Sequence, residues 1–311
     1  MAFVLLLTPP EIDIPEFFYM VIFSALLYYL LLIPLSLLPF PVMYGLSNFL
    51  FVILYYVFPY RKKVVMENLR KVFPEKEEVE LKKIQKEFYR HFCDLVFESL
   101  KIFTANNQSI LQRVELVNAE LLEGYYRANK SLILVTGHYA NWEWSAVTLP
   151  FHSSHTGTGI YKKLSNPFFD KRLRETRARF GTKLMSTKEV AVFFEEHKEQ
   201  LCTYGFINDQ SPSDPKKGHW MKFLNQDTCM LTGVERYAVK YNYPVLYGMI
   251  TRKKRGYYRI EYKLVCENPV DSKPNEITEK CSQINEEIIR SAPAYWLWTH
   301  RRWKHKRPEG I

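Results

Sequence analysis

The sequence predicts an α/β protein in which a mixed sheet is flanked by helices and is preceded by an N-terminal membrane-anchoring helix and an amphipathic interfacial helix. Three patterns support this fold class. Short apolar runs alternate with helical stretches beyond Asn106. A run of 44 residues without Asp, Glu, Lys, Arg or His extends from Phe17 to Tyr60. An amphipathic segment, RKKVVMENLRKVFP, follows that run directly.

The uncharged run is longer than one membrane crossing requires, because a spanning helix needs only about 20 apolar residues. Prolines at 34, 39 and 41 divide the run. We therefore expect one span over about 17–38 and a second apolar helix over 42–58 that spans, re-enters or lies in the interface. A buried hairpin of core helices is the less favoured alternative.

The charges that flank the run predict its orientation. Three basic residues at 61–63 follow it, whereas Glu11, Asp13 and Glu16 precede it. Positive charge stays on the cytoplasmic side of a membrane, so a single pass leaves the body of the protein in the cytoplasm. The expected division is an anchor over 1–60 and a cytoplasm-facing domain over 61–311.

Two helices are expected after the anchor. In RKKVVMENLRKVFP, the residues Val65, Leu69 and Val72 share one face opposite basic residues, a pattern that suits a membrane surface. The next helix, at about 77–103, has apolar residues at steps of three and four and is expected to pack on the main domain.

The remaining chain alternates between strands and helices. The predicted strands are 131–136, 156–161, 201–207, 243–250 and 257–265, and the predicted helices are 142–149, 168–180, 187–198, 229–241 and 275–291. The segment RKKRG turns the last two strands into an antiparallel pair.

Composition and charge restrict the function. With 311 residues, 47% of them hydrophobic, the chain is folded rather than disordered. Its net charge of +10 is concentrated in residues 161–190 and in HRRWKHKR at 300–307, patches that attract anions. The five cysteines are widely spaced without a CxxC motif, which fits a reduced, cytoplasm-facing body.

The octapeptide GHYANWEW at 137–144 is the candidate catalytic motif. It follows the apolar strand SLILVT, and the carboxyl end of such a strand is where open α/β sheets place ligands. Side chains five apart on one helix point about 140° apart, so His138 and Glu143 meet only across a strand–turn–helix junction. We expect the Nδ1–H group of His138 to donate a hydrogen bond to Glu143, which leaves Nε2 as a general base. The octapeptide alone more often marks a histidine that is merely hydrogen-bonded in a turn.

Other chemistries fit the motif less well. The sequence has no nucleophile elbow such as GxSxG and no HExxH zinc motif. No metal and no organic cofactor are therefore expected.

In the order of its segments, the chain resembles the lipid A biosynthesis acyltransferase family, within the wider lysophospholipid acyltransferase superfamily that shares an HxxxxD/E motif. The similar segments are LLPFPVMY, RKKVVMENLRKVFPE, GHYANWEW, YKKLSNPFFD with RARFG, NDQSP and APAYWLWTHRRWKHKRPEG. The resemblance implies that His138 activates an acceptor hydroxyl and that Glu143 orients it. It also implies an acyl chain that moves from acyl carrier protein, or from acyl-CoA, to a lipid A precursor.

Two departures from the family pattern leave the acceptor open. Lys162 stands where many members have an arginine, and a lysine lacks the bidentate fork for phosphate. The segment FLNQDT at 223–228 also lacks an expected glycine. A lysophospholipid or an amino-acid lipid is therefore an alternative acceptor.

The remaining candidate substrate-binding residues come from the same segments and are Lys162, Asn166, Asp209, Gln210, Arg301 and Arg302. Asp209 and Gln210 follow a predicted strand, where they either line the pocket or cap a loop. The aromatic residues of YWLWTHRRW suit core packing as well as substrate contact. His300 and His305 are expected on a solvated basic surface.

These features together predict an acyltransferase of the bacterial inner membrane whose catalytic domain faces the cytoplasm. Its expected partners are membrane lipids, acyl carrier protein and a phosphorylated glycolipid acceptor, with no nucleic acid. The competing hypothesis is a non-enzymatic, membrane-tethered protein that binds nucleic acid or anionic lipid through the basic tail. That hypothesis leaves the placement of His138 and Glu143 unexplained.

Overall fold

A seven-stranded, mostly parallel sheet forms the centre of the protein. The computed structural model describes residues 14–308, with side chains from residue 18 onward. The strands are β1 (Val114–Leu116), β2 (Leu132–Thr136), β3 (Thr156–Tyr161), β4 (Lys183–Ser186), β5 (Cys202–Ile207), β6 (Gly218–Phe223), β7 (Gln226–Leu231), β8 (Val245–Lys254) and β9 (Tyr257–Cys266). The sheet order is β1-β9-β8-β2-β5-β3-β4, and β6 and β7 form a separate antiparallel hairpin.

Helices precede the sheet and flank it. The α-helices are α1 (Ile14–Leu27), α2 (Ile33–Leu37), α3 (Phe40–Val52), α4 (Lys62–Val72), α5 (Glu78–Lys101), α6 (Asn107–Leu111), α7 (Glu120–Arg127), α8 (Trp142–Thr148), α9 (Pro167–Arg179), α10 (Val190–Glu196), α11 (Gly233–Tyr241) and α12 (Glu276–Ser291). Two π-helical segments, Tyr28–Leu32 and Ile53–Val57, continue α1 and α3. The predicted α/β class with a mixed sheet is confirmed.

The central strands are buried because helices cover both faces of the sheet. In β2, the side chains of Leu132, Ile133 and Val135 are almost completely shielded from solvent, as expected of an interior parallel strand. The strands β2, β5, β3, β4 and β8 run parallel, whereas β8 and β9 are antiparallel. Arg255 and Gly256 turn that pair, and Gly256 adopts a left-handed conformation with φ of 72°. The predicted RKKRG turn is confirmed.

The five predicted strands are present, but the predicted helix over 229–241 is wrong at its start. Cys229 to Leu231 belong to β7, and α11 begins only at Gly233. The sequence did not reveal the β6–β7 hairpin because its turn consists of Leu224 and Asn225, both at positive φ, in place of a typical Asn-Gly pair. The short strands β1 and β4 and helix α7 were also missed.

The amphipathic helix predicted after the anchor is present as α4, but its expected environment is wrong. Val65, Leu69 and Val72 are fully buried in the core of the protein. Their face is therefore covered by protein and is not available to insert into a membrane. The next helix, α5, packs on the main domain as predicted, with Phe88 and Phe92 in the core.

The uncharged N-terminal run forms two helical segments, Phe18–Leu37 and Phe40–Val57, each long and apolar enough to cross a membrane. The break lies at Leu38 and Pro39, both in extended conformation. Pro34 does not end the first segment, because the preceding π-helical turn accommodates the proline. Glu11 and Asp13, whose charges contribute to the predicted orientation of the anchor, lie outside the described residues.

Close packing between two neighbouring strands predicts the effect of a single methyl group. A Cβ at Gly205 in β5 would lie 2.8 Å from the backbone oxygen of Thr158. Backbone in the middle of a sheet cannot move away easily, so Gly205→Ala should cost about 1–3 kcal/mol of stability. Each kcal/mol corresponds to about 2–4 °C in a domain of this size, so the apparent melting temperature of the detergent-solubilised protein should fall by several degrees.

Gly124→Ala is the matched control. Gly124 lies within α7, and a Cβ at this residue would have no neighbouring atom within 4 Å, so alanine should stabilise that helix by up to about 1 kcal/mol. Equal melting temperatures for the two variants would contradict the described packing between β5 and β3.

Candidate active site

The candidate site lies at the edge of the sheet where parallel strands end. Thr136 and Ile207, the last residues of β2 and β5, are paired in register. His138 and Asp209 each follow two residues later, so the two side chains emerge side by side. Glycine occupies position 137, at the start of the turn after β2, where a Cβ would lie only 2.7 Å from Asn285 Oδ1 on α12. The sheet itself therefore brings the imidazole and the carboxylate together.

Asp209 holds both the ring and the backbone of His138. The His138 ring nitrogen Nδ1 lies 2.6 Å from Asp209 Oδ1, and the backbone N–H of His138 donates to Oδ2 at 2.8 Å. Trp296 Nε1 also donates to Oδ2, at 2.7 Å. Burial alone would raise the pKa of Asp209, but the neighbouring His138 and these hydrogen bonds outweigh it and hold the pKa at about 2. The carboxylate is therefore ionised at neutral pH.

The second ring nitrogen of His138 is the atom available for chemistry. Because an ionised carboxylate can only accept, Nδ1 carries the proton of the neutral ring and Nε2 has a free lone pair. The amide nitrogen of Gln210 lies 3.2 Å from Nε2 and donates to it. Trp142 contacts the imidazole edge to face, with 5.3 Å between ring centroids. His138 thus has its ring orientation fixed on one side and a reactive nitrogen on the other.

The expected hydrogen bond between Glu143 and His138 Nδ1 is wrong. Glu143 lies in the first turn of α8, as predicted, but its buried carboxylate pairs with Arg177 of α9. Burial would raise the pKa of Glu143, and the Arg177 guanidinium overcomes this, so the pKa lies below its ordinary value. The charge of His138 contributes to the same lowering, so Glu143 is close enough to act on the ring electrostatically. Its role in catalysis stays a prediction.

Backbone pairing with the C-terminal segment holds the turn that carries His138. The N–H of Leu297 donates to the carbonyl of His138 at 3.1 Å, and the N–H of Ala140 donates to the carbonyl of Tyr295 at 2.9 Å. Ala140 itself has a positive φ of 49°. A non-glycine residue in this region persists only when its surroundings enforce it, and the two-sided pairing supplies that constraint.

A buried carboxylate on α5 also stabilises this turn. Glu98 of α5 accepts hydrogen bonds from Asn141 at 2.6 Å, from Tyr258 of β9 at 2.6 Å and from Tyr44 of α3 at 2.9 Å. Burial raises the pKa of Glu98 to about 7, although the tyrosine hydrogen bonds oppose that rise. Asn141 in turn caps α8 by accepting from the N–H of Trp144. Glu98 therefore connects an apolar N-terminal helix to the start of the helix that carries Glu143.

Among the predicted substrate-binding residues, Asp209 and Gln210 both reach the His138 ring. Lys162 is exposed just after β3, at the same edge of the sheet, and Arg301 is exposed in the C-terminal segment. Lys162 is thus two strands away from His138, on the far side of β5.

Asn166 and Arg302 are buried and are bonded to other parts of the protein. Asn166 is buried, where its oxygen caps α9 through Phe168 and Phe169 and its nitrogen donates to Ser24 Oγ at 2.8 Å. Arg302 is also buried and donates to the carbonyl of Cys229 at 3.0 Å. Both side chains therefore hold the fold together, and their role in substrate binding stays a prediction.

His300 is also not on a solvated surface. It is half-buried next to the site and accepts a hydrogen bond from the N–H of Ser211 at 3.2 Å. Burial lowers its pKa to about 4. His305 contacts the carbonyl of Pro212 at 2.9 Å. Two of the histidines in the basic tail therefore fix the loop that follows Asp209.

Sequence reasoning missed Arg177, Trp296 and Glu98 as parts of the site. Arg177 lies in the RARFG segment and Trp296 in the WLWTH segment, neither of which indicates a contact by itself. Arg177 pairs with Glu143, 34 residues away, and Trp296 donates to Asp209, 87 residues away. No local spacing in the sequence could indicate these contacts. Within residues 14–308, no cluster of three or more His, Cys, Asp or Glu side chains could hold a metal ion.

The low pKa of Asp209 predicts how stability depends on pH. A carboxyl whose pKa is about 2 in the folded protein and about 3.9 in the unfolded chain stabilises the fold above pH 4 by about 2–3 kcal/mol. This contribution is lost as the pH falls through about 2. The melting temperatures of wild type and Asp209→Asn should therefore differ most above pH 4 and converge as the pH approaches 2. A difference that stays constant from pH 6 to pH 3 would contradict the assigned hydrogen bonds.

Comparison with known proteins assigns the chain to a family. The sequence profile described as Bacterial lipid A biosynthesis acyltransferase matches residues 13–305. The chain is 25% identical over 284 residues to a lipid A biosynthesis lauroyltransferase of Escherichia coli (strain K12), covering 88% of this chain and 89% of the other. It is 24% identical over 257 residues to a lipid A biosynthesis acyltransferase of Haemophilus influenzae, covering 80% and 79%. The chain therefore belongs to the bacterial lipid A biosynthesis acyltransferase family, and it is an acyltransferase with a lipid acceptor.

Proposed function

We propose that this acyltransferase moves a fatty acyl group from a thioester to a hydroxyl of a lipid A precursor or of a related anionic glycolipid. The observation that carries the proposal is the 2.6 Å contact between His138 Nδ1 and Asp209 Oδ1. It leaves the Nε2 lone pair at the carboxyl edge of the sheet, where an incoming hydroxyl can replace the Gln210 amide as its partner.

The reaction needs one base that becomes an acid. Nε2 of His138 takes the hydroxyl proton as the hydroxyl oxygen attacks the thioester carbonyl. When the carbon–sulfur bond breaks, the same proton passes to the departing thiolate, so that an ester and a free thiol result. Asp209 stabilises the positive imidazolium between these steps through its short hydrogen bond. No metal and no organic cofactor takes part in this scheme.

Other charged residues at this edge of the sheet stabilise charges that form during the proposed reaction. Glu143, held by Arg177, places a second negative charge near the ring and further stabilises the imidazolium. Lys162 is an exposed cation at the same edge of the sheet. It either neutralises the oxyanion of the tetrahedral intermediate or binds a phosphate of the acceptor.

Charge and hydropathy support a choice of acyl donor and of cellular location. Acyl carrier protein is the favoured carrier, because an acidic carrier is attracted to a chain with a net charge of +10, and acyl-CoA is the alternative. The two apolar N-terminal segments support attachment to the bacterial inner membrane. The basic residues at 61–63 favour a cytoplasmic catalytic domain, where acyl thioesters are made.

The proposal predicts that His138→Ala lowers turnover by roughly 10² to 10⁴, because general-base catalysis is worth about that much. Turnover is measured in vesicles as ester formation by mass spectrometry, with acyl-acyl carrier protein or acyl-CoA offered to a phosphorylated lipid A precursor and, separately, to a lysophospholipid. The amount of folded enzyme is held equal.

His155→Ala is the matched control. His155 is also buried and hydrogen-bonded, to Ser153 and to the carbonyl of Lys130, but it precedes β3 at the opposite edge of the sheet. Its loss should leave turnover per folded molecule nearly unchanged. Normal turnover by folded His138→Ala enzyme would refute the mechanism, and acylation of the lysophospholipid alone would refute the proposed acceptor.

A further inference from the structure

We propose that His91 is a positioning residue for His138. It holds Ala140 in the left-handed conformation that turns the chain between His138 and α8, and in this way it fixes the position of the imidazole. His91 lies in α5 and is almost completely buried. This role rests on the proposed function, because His91 acts through the backbone of the turn that carries the base and not on the reacting atoms.

Ala140 is the residue of the turn 137–141 that has a positive φ, of 49°. In this left-handed region the Cβ of an L-residue comes too close to the following carbonyl oxygen. Glycine would avoid the clash, but the chain has alanine here and buries it completely. The surroundings must therefore supply interactions that keep Ala140 from relaxing to negative φ.

Both backbone polar groups of Ala140 have partners. Its N–H donates to the carbonyl of Tyr295 at 2.9 Å, and its carbonyl oxygen lies 3.2 Å from Nε2 of His91. The N–H and the carbonyl belong to different peptide planes, and rotation about φ or ψ of Ala140 turns one plane relative to the other. Relaxation of Ala140 would therefore break at least one of these two bonds.

The neighbours of His91 determine which ring nitrogen carries the proton. A carbonyl oxygen can only accept, so Nε2 must be the donor towards Ala140. On the other side of the ring, Nη1 of Arg252 lies 3.5 Å from Nδ1, and a guanidinium can only donate. Burial and the charge of Arg252 lower the pKa of His91 to about 3, so the ring is neutral at neutral pH. Both contacts thus require the same neutral tautomer, with the proton on Nε2.

Arg252 is itself fixed by the helix that carries His91. Its Nη2 donates to Asp94 Oδ2 at 3.0 Å. Asp94 follows His91 by three residues, so the two side chains share one face of α5 and Arg252 bridges them. The orientation of the His91 ring therefore depends on a buried ion pair and not on packing alone.

Tyr295 connects the same side chains to the second bond of Ala140. Its ring packs edge to face on His91, with 4.9 Å between ring centroids. The guanidinium of Arg252 lies 5.5 Å from the centroid of the Tyr295 ring. Because the carbonyl of Tyr295 accepts from the N–H of Ala140, His91 supports one bond of Ala140 directly and the other through Tyr295.

The position of His138 depends on the conformation of Ala140. Asp209 binds His138 on the strand side of the turn, and Asn141 caps α8 on the helix side. Ala140 lies between these two fixed points. If Ala140 relaxed to negative φ, the chain would change direction there, and the bonds on both sides could not be kept. A misplacement of about 1 Å in a reacting group can cost about 100-fold in rate.

Two substitutions of His91 separate its bond to Ala140 from the rest of its environment. In His91→Gln, the amide nitrogen extends about as far as Nε2 of histidine and can still donate to Ala140. In His91→Asn, the shorter amide can replace only Nδ1, the neighbour of Arg252. His155→Asn is the control for the loss of a buried imidazole, because Nε2 of His155 lies 2.9 Å from the carbonyl of Lys130 at the opposite edge of the sheet.

We expect His91→Asn to lower kcat by about 10- to 100-fold with a nearly unchanged KM for the acceptor, because only the position of the base is disturbed. His91→Gln should restore most of the lost kcat, and His155→Asn should leave kcat per folded molecule nearly unchanged. Normal kcat in folded His91→Asn enzyme, or equal losses in His91→Asn and His91→Gln, would overturn the inference.

A double-mutant cycle with Ala140→Gly tests the strain itself. Glycine adopts a φ of about 50° without steric cost, so the turn no longer needs to be enforced. The loss of kcat caused by His91→Asn should therefore be several-fold smaller in the Ala140→Gly background than in the wild-type background. Equal losses in the two backgrounds would show that His91 does not act by holding Ala140.

Nitrogen NMR of ¹⁵N-histidine-labelled protein gives a readout that is independent of turnover and does not require a stable variant in place of wild type. The neutral ring of His91 should be protonated on Nε2 and stay neutral from about pH 8 to about pH 5. A ring protonated on Nδ1, or one that becomes charged in this range, would overturn the inference. In His91→Asn, but not in His91→Gln, the ring of His138 should lose its single tautomer. If these resonances are as expected but folded His138→Ala enzyme has normal turnover, the proposed function fails and the positioning of His138 by His91 stands.

Discussion

The hydrogen bond between His138 and Asp209 is the interaction on which the rest of the site depends. It exists because β2 and β5 are neighbouring parallel strands whose last residues are paired in register. The same carboxylate binds the ring and the backbone N–H of His138, so it determines both the tautomer and the position of the imidazole. Gln210, Trp142 and the C-terminal segment then act on a ring that is already oriented.

Around this bond, the protein buries several ionisable groups that have partners of their own. Glu143 is paired with Arg177, Asp94 with Arg252, and Glu98 with three hydrogen-bond donors. Buried charges add little net stability when paired, but they become strongly destabilising when one partner is lost. These pairs therefore act less as a source of stability than as a means of enforcing one arrangement of α3, α5, α8 and α9 around the turn that carries His138.

Sequence reasoning predicted those parts of the molecule that depend on local patterns. The buried strand before His138, the helix that follows it and the RKKRG turn all come from short-range periodicity and turn chemistry. The partner of Nδ1 could not be predicted in this way. Glu143 lies five residues from His138, whereas Asp209 lies 71 residues away and reaches the ring only through strand order. The family motif directed attention to the nearer carboxylate, which instead needs its charge to pair with Arg177.

Burial was the second quantity that the sequence did not determine. Periodicity shows that Val65, Leu69 and Val72 share a face, but it cannot tell whether protein or lipid covers that face. In the apolar N-terminal run, the structure buries Tyr28, Leu32, Phe51 and Tyr55 against the protein, which hydropathy alone does not predict.

The tautomer of His138 tests the central claim most directly. Nitrogen NMR of protein labelled with ¹⁵N-histidine, with His138→Gln used to assign the resonance, distinguishes a protonated ring nitrogen from one with a free lone pair. If Asp209 holds the ring as described, the neutral imidazole of His138 carries its proton on Nδ1, and Nε2 is unprotonated. Asp209→Asn should disturb this pattern, whereas Glu143→Gln should preserve it. A neutral ring protonated on Nε2 in the wild-type protein, or a pattern that depends on Glu143 and not on Asp209, would contradict the account.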